Sequence, residues 1–463
     1  MSRILSLPII WIVGLFLAAA AGILAFPMPA EVEPKTAFAA LLVITAIAIW
    51  ASHALPEALT SIAFMMSVVL LGLAPPSVTF SGFAVGAIWL LLSGIVIGVA
   101  FRETGLGDWI AGFVLARFEM TFTKVIIGLV TVAFLLGFIL PATIGRIAVL
   151  LPIALAFAES MGYPKGSRGY TGFAMAVACG TFLPTYALMP ANLPALVHVG
   201  TAETLYGLKI TYAEFMLWHF PVTGILRALM VVPVIIYFFR DQPQTVKSAP
   251  EHLSGGLNKS QRRLLIVLLI TLGLWMTDFI HHISPAWVAL LAAVVILMPA
   301  MKLVPEDVFH GKINISPFFY LAGVLGAAAV IVHNGVGDLL ANYLLGVMDF
   351  VPGDTMENYA SIIGISTLLS LLMTMPGAPA VLVPIAQELS TATGMSLLAV
   401  IMTQMAGLTI MLLPYQGPPI VVAMSMAGLR LREVFAALMF MAAVMIFILT
   451  PLNYLWWRML GLI

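Results

Sequence analysis

The sequence predicts an all-α polytopic membrane protein with inverted repeats, about 11 transmembrane helices, two re-entrant hairpins and two broken helices. Three observations carry this prediction. The 463 residues are 62% hydrophobic and 9% charged, with a mean hydropathy of +1.11, whereas a soluble domain carries about 25% charged residues. Charge-poor stretches near the ~20 residues that cross a bilayer recur along the chain. Longer stretches broken by proline occur twice, in the same order. Twenty basic residues balance twenty acidic ones, so no electrostatic footprint for nucleic acid is expected. The single cysteine, Cys179, excludes an intramolecular disulfide and disfavours a cysteine metal site.

The elements follow in order. Arg3 precedes an apolar run from Ile4 to Phe26, which is long for a cleaved leader and reads as a retained first helix. Further spans are expected at 36–54, 57–74, 84–101, 214–240, 264–283, 285–301, 316–333 and 432–457. Between them, residues 125–158 hold one charge, Arg146, and are interrupted by Pro141 and Gly145. Residues 169–202 hold no charge and are interrupted by Pro184, Pro190 and Pro194. In the second half, 358–387 is uncharged around Pro376 and Pro379, and 389–429 is uncharged around Pro414, Pro418 and Pro419.

Helix arithmetic separates these four stretches from ordinary spans. About 34 residues of helix would be ~50 Å long, too long for one straight crossing. Two crossings and a turn would need more than about 40 residues. The first and third stretches therefore suit re-entrant hairpins, and the second and fourth suit helices broken at mid-depth. Each break frees backbone groups that only protein or a water-filled cavity satisfies.

The two halves also share local signatures. Thr104-Gly-Leu-Gly-Asp108 corresponds to Asn334-Gly-Val-Gly-Asp338, Leu151-Pro-Ile-Ala154 to Val383-Pro-Ile-Ala386, and Gly162 to Gly394. The expected division is 1–35 (first helix and loop), 36–240 (first repeat, hairpin about 122–160, broken helix about 168–200), 241–263 (linker) and 264–463 (second repeat, hairpin about 358–393, broken helix about 395–428). Duplicated broken helices point to a secondary transporter. Arg240, Lys247, Lys259, Arg262 and Arg263 outnumber Asp241 and Glu251 in the linker. Together with Arg3 they place the N-terminus and linker in the cytoplasm of a multi-pass inner (plasma) membrane protein.

The polar residues of the interrupted stretches are the candidate substrate ligands. Arg146 lies beside the start of the hairpin's second half-helix, where the dipole attracts anions and a guanidinium adds bidentate recognition. The alternative is pairing with Glu159 or snorkelling to the cytoplasmic face. Thr143 belongs to the same tip, and Asn192 lies inside the first proline cluster. Thr374, Tyr415 and Gln416 are their second-half counterparts, while Thr181, Thr185, Tyr186, Thr403 and Gln404 are weaker candidates. Arg227 reads as a snorkelling side chain, and His281 and His282 beside Asp278 as interfacial. His198 alone is poor evidence for a pH sensor. No HExxH, Walker A or GxSxG pattern stands out, which argues against an enzyme.

These residues resemble the divalent anion:sodium symporter family of the ion transporter superfamily. The resemblance runs over nearly the whole chain after the first helix. It rests on Thr104-Gly-Leu106, Leu151-Pro-Ile-Ala154, Pro190-Ala-Asn192, the stretch 208–215, Val383-Pro-Ile-Ala386 and Gly417-Pro-Pro419. It implies a lipid-embedded homodimer that moves di- or tricarboxylates or sulfate-like anions by an elevator motion, with no cofactor beyond a coupling ion. The family's Ser-Asn-Thr hairpin tips appear here as Ala142-Thr143-Ile144 and Thr374-Met375-Pro376. Its Thr-Pro-Pro-Asn breaks appear as Met189-Pro-Ala-Asn192 and Gly417-Pro-Pro-Ile420. Met375 and Ile420 offer no side-chain oxygen to a hard cation. Arg146 is therefore expected to supply a positive charge that sodium supplies elsewhere. The residues leave Na+ coupling, H+ coupling and exchange open, and an anion channel or a transporter-derived sensor is the rival reading.

Overall fold

The computed structural model describes residues 6–25, 32–115, 121–140, 143–243 and 256–463. The expectations resting on Arg3, Pro141, Ala142 and linker residues 244–255 lie outside the described residues. Within them the regular structure is helical, as in any chain that must satisfy its backbone in lipid without a closed barrel. Seven helices are long and apolar enough to cross a membrane, and several shorter apolar helices accompany them.

The first half opens with α1 (Ser6–Ala25), α2 (Pro34–Ser52), α3 (Glu57–Leu70), α4 (Gly86–Thr104) and α5 (Leu106–Leu115). Two helices, α6 (Phe122–Ile139) and α7 (Thr143–Ser160), flank the first proline tip. Next, α8 (Arg168–Phe182) gives way to 3-10 turns at Pro184–Ala187 and Met189–Ala191 before α9 (Leu193–Tyr206) resumes. The long α10 (Tyr212–Phe239) closes this half. After the linker come α11 (Lys259–Met276), α12 (Pro285–Leu297), α13 (Ser316–His333) and α14 (Val336–Val347). The second tip follows α15 (Thr355–Leu372) and leads through Pro379–Leu382 and a 3-10 turn to α16 (Ala386–Thr393). The second break separates α17 (Leu397–Leu408) from α18 (Pro418–Ala427), and α19 (Leu431–Met459) completes the chain.

The paired glycine signatures adopt paired conformations. Gly105 and Gly335 have φ of 65° and 68°, and Gly162 and Gly394 have φ of 86° and 70°. All four sit in the left-handed region that favours glycine. A close helix approach also recurs at the breaks. A Cβ on Gly180 of α8 would meet Val130 Cα at 3.1 Å, and one on Gly407 of α17 would meet Ile363 O at 2.6 Å. Small residues of this kind let transmembrane backbones pack without a hydrophobic driving force. From Gly169 to Phe182, α8 is buried throughout, so the first broken helix lies in the core and not at its edge.

Both long closing helices contain a π-helical segment, Phe220–Leu226 in α10 and Met445–Leu449 in α19. Pro221 lies in the first and Pro451 follows the second, and proline removes donors that would otherwise keep the α-helical ladder. The first π segment delivers Arg227 inward, contrary to the snorkelling expectation. Its side chain is 5% exposed and Nη2 donates to Thr409 Oγ1 at 2.6 Å. Two further polar side chains also turn inward. Asp278 is buried and accepts from the N–H groups of Tyr212 and Ala213 at the start of α10, so it caps a helix. His198 is buried with Nε2 on Ile401 O at 2.8 Å, tying α9 to α17 away from solvent.

Candidate functional site

Three helix starts meet at one cavity. The first residues of α7 (Thr143, Ile144), α9 (Leu193, Pro194) and α18 (Pro418, Pro419) all line a space of about 290 Å³. Proline in the opening turns of α9 and α18 removes N–H groups that a helix cannot satisfy internally and leaves the positive end of the dipole in place. Asn192 precedes α9 as its N-cap and also faces the cavity, as do Thr374 and Pro376 of the second tip. The opposite wall belongs to α2, α3, α4 and α13, with Trp50, Glu57 and Tyr320 prominent. Trp50 and Tyr320 meet edge to face, 5.6 Å between ring centroids.

The first tip and first break are welded together. Thr143 Oγ1 donates to Ala191 O at 2.8 Å and to Asn192 Oδ1 at 3.1 Å. Asn192 Nδ2 donates to Phe182 O and Thr185 Oγ1, both at 3.0 Å. Arg146 is fully buried behind them. Its Nη1 donates to Leu140 O, and its Nη2 lies 3.0–3.2 Å from Ala191 O, Thr181 O, Thr185 Oγ1 and Thr143 Oγ1. The guanidinium is thus held by three carbonyl and two hydroxyl oxygens of the tip and the interrupted helix. Neither Glu159 nor any other carboxylate hydrogen-bonds to it among the described residues.

The second tip and break are joined by neutral groups. Met375 N donates to Gln416 O at 3.0 Å. Gln416 Oε1 accepts from the N–H groups of Leu412 and Leu413 at 2.8 and 2.7 Å, and its Nε2 donates to Ser370 Oγ at 2.8 Å. Tyr415 is 46% exposed and its hydroxyl donates to Leu371 O. The structure therefore brings Thr143, Asn192 and Thr374 to the cavity and places Arg146, Tyr415 and Gln416 outside its lining. Backbone groups freed by the tips and breaks claim the last three.

A second cavity of about 680 Å³ lies along the same α4–α9 seam, lined by Met189, Glu203, Lys209, Thr211 and Ser284 among others. The two cavities share Leu90 and Leu196, which form an apolar partition between them. The sequence does not single out Trp50, Tyr320 or these leucines. They lie on spans of ordinary composition, and an aromatic near a span end is expected at any membrane interface.

Comparison with known proteins bears on the fold and the family. A membrane protein of Cupriavidus necator is 26% identical over 62% of this chain and 60% of its own length. The L-tartrate/succinate antiporter of Escherichia coli K12 is 24% identical over 58% of this chain and 57% of its own. The chain thus spans about three fifths of the length of these relatives. In fold, the crystal structure of the Alcanivorax borkumensis YdaH transporter aligns with a TM-score of 0.56 at 14% identity, covering 92% of this chain and 98% of that one. The family model described as the sodium:sulfate symporter transmembrane region matches residues 9–463. The chain accordingly belongs to the sodium:sulfate symporter family, the divalent anion:sodium symporters, whose members are membrane transporters and not enzymes.

Proposed function

We propose that the protein is a secondary carrier of small anions, of the di- or tricarboxylate or sulfate-like class, and that the 290 Å³ cavity binds the substrate. The observation that carries this reading is the convergence of three helix N-termini from both halves on that cavity. Each presents a dipole equivalent to roughly half a positive charge, and such ends of broken helices face anionic groups in transporters. Thr143, Asn192 and Thr374 are the side chains in position to add hydrogen bonds.

The architecture supports a fuller reading of the same kind. Two repeats, 36–240 and 264–463, flank the linker, and tips and breaks move together against α2, α3, α4 and α13 in an elevator motion. The partition at Leu90 and Leu196 suits alternating access, since it keeps the two cavities from joining. The protein works in the inner membrane as a homodimer with the N-terminus and linker in the cytoplasm. The relative that exchanges tartrate and succinate by its name supports the carboxylate class.

The test is the thermal stability of the purified protein against succinate, tartrate, sulfate and chloride at matched ionic strength. A ligand at a hundredfold excess over Kd stabilises by about 2.7 kcal/mol. One divalent class should raise the unfolding midpoint, and Thr374→Val should weaken that response about tenfold in concentration, the loss of roughly one hydrogen bond to a charged ligand. Equal midpoints in all four anions would sink the assignment of the cavity.

A further inference from the structure

The wall of the smaller cavity is chemically one-sided. Among the described residues no lysine or arginine lines it. Apart from Tyr320, its titratable side chains are His53 and Glu57, 3.9 Å apart and both partly exposed. A carboxylate beside an imidazole has no net positive charge to offer an anion. The groups that suit an oxyanion gather instead on the side of the tips and breaks, where Thr143, Asn192 and Thr374 accompany the three helix starts. The Tyr320 hydroxyl meets Thr374 on that side as well.

Most of the remaining wall is apolar. Leu90, Leu91 and Ile95 project from one face of α4, and Phe182 closes in from the end of α8. Trp50 spends its one polar atom on Glu57 O, to which Nε1 donates at 3.4 Å, so the ring itself is what a ligand meets. Ile144 is the most telling of these residues. It is the second residue of α7, lines the cavity, and is nevertheless 50% exposed. An isoleucine left open beside an anion-attracting helix start gains nothing from a fully polar ion. It gains from an apolar group that removes its surface from water.

A substrate with carboxylates at opposite ends would set one of them against this apolar wall or against Glu57. Burying a charge without a partner is costly, and a ligand charged at one end escapes that cost. Size points the same way. The volume of about 290 Å³ is roughly ten times the share of one water in the liquid, more than inorganic sulfate fills.

Resting on the anion-carrier reading above, we infer that the substrate is an amphipathic anion. It carries a single oxyanion head, carboxylate or sulfate-like, and an aryl or branched-alkyl body. The head sits at the helix starts with Thr143, Asn192 and Thr374, and the body lies against Trp50, Leu91, Ile95 and Ile144. The reading is thereby narrowed from anions charged at both ends to anions charged at one. Affinity for the head comes from the helix dipoles and hydroxyls, and selectivity comes from the apolar area that the body buries.

The test compares phenyl sulfate, methyl sulfate, sulfate, succinate and phenol as ligands of the purified full chain at matched ionic strength. The readout is the concentration that gives half the maximal rise in unfolding midpoint. Phenyl and methyl sulfate share head and charge, so their ratio reads the body alone. Phenyl sulfate should act at a concentration roughly tenfold lower or more, and phenol, the body without its head, should act far more weakly. Ile144→Thr replaces part of the apolar wall by a hydroxyl at a half-exposed position and should reduce the phenyl-over-methyl preference by roughly tenfold. If that variant does not fold, Ile95→Ala reads the same preference. Equal action of the two sulfate esters, succinate acting at lower concentration than phenyl sulfate, phenol matching phenyl sulfate, or a preference unmoved in the folded variant overturns the inference. A response to sulfate or succinate in any of those cases leaves the carrier reading standing. No response to any of the anions overturns the carrier reading and this inference with it. Uptake of radiolabelled phenyl sulfate into proteoliposomes separates substrate from inhibitor: binding without uptake also overturns the inference.

Discussion

The two helix breaks present the same backbone problem and answer it with opposite chemistry. An interrupted helix frees both C=O and N–H groups that lipid cannot satisfy. Around the first break the carbonyls of Leu140, Thr181 and Ala191 converge on the Arg146 cation. In the second, the freed N–H groups of Leu412 and Leu413 converge on the neutral Gln416 amide. A cation satisfies acceptors and an amide oxygen satisfies donors, so each break has the side chain that its exposed backbone demands. The difference teaches that the halves share geometry without sharing charge: the first break takes its charge from its own hairpin, and the second borrows Arg227 from α10.

The largest expected effect tests the charged side. Arg146→Met keeps most of the volume and removes the N–H groups that five oxygens share, leaving Leu140 O without that donor. Bonds to charged groups contribute about 1.5–3 kcal/mol each, offset by the relief of burying a charge. A net loss of about 3 kcal/mol is expected from that balance, read in choline buffer as the deepest fall in unfolding midpoint among substitutions in either break. Unchanged stability would mean that the cage is not what joins tip to break, and the contrast between the halves would fail.

The neutral side should respond less. Gln416→Leu leaves the N–H groups of Leu412 and Leu413 and the Ser370 hydroxyl without their partner, for a loss of about 2 kcal/mol. Because no charge is removed and no carbonyl loses a donor, the variant should show no sodium-dependent rise in midpoint. A sodium response in Gln416→Leu would show that the second break also hides a cation cage, and would erase the distinction.

Legibility in the sequence follows the same division. The proline-interrupted stretches announce both breaks, because a lone charge or a proline cluster in an apolar run frees polar groups that lipid cannot meet. Arg146, Thr143 and Asn192 stand out for that reason, and they do form one connected cluster. The letters do not contain the identity of their other partners. Main-chain carbonyls carry no letter of their own, so the cage around Arg146 is invisible until the backbone is placed. Arg227 misleads for a related reason. An apolar run suggests that its stem reaches the headgroups, whereas a π-helical segment and a threonine 182 residues away decide where it points. The wall with Trp50 and Tyr320 is silent in the sequence because its helices differ in nothing from ordinary spans.

The smallest effect concerns Tyr415, where sequence and structure diverge most. Its place between Pro414 and Gln416 makes it a natural substrate ligand by position alone. In the fold the 3-10 turn Pro414–Gln416 turns Gln416 inward and leaves Tyr415 half-exposed with its hydroxyl on Leu371 O. A partly exposed hydrogen bond of that kind exchanges readily for one to water, so Tyr415→Phe should lower stability by less than about 1 kcal/mol. Its succinate half-saturation should stay within about twofold of the unsubstituted protein, since one lost substrate hydrogen bond would shift it by more. A response weaker by roughly tenfold would place the phenol on the substrate during the transport cycle. The second break would then contribute a polar ligand of its own, and its restriction to backbone repair would hold for one conformation of the cycle and not for the others.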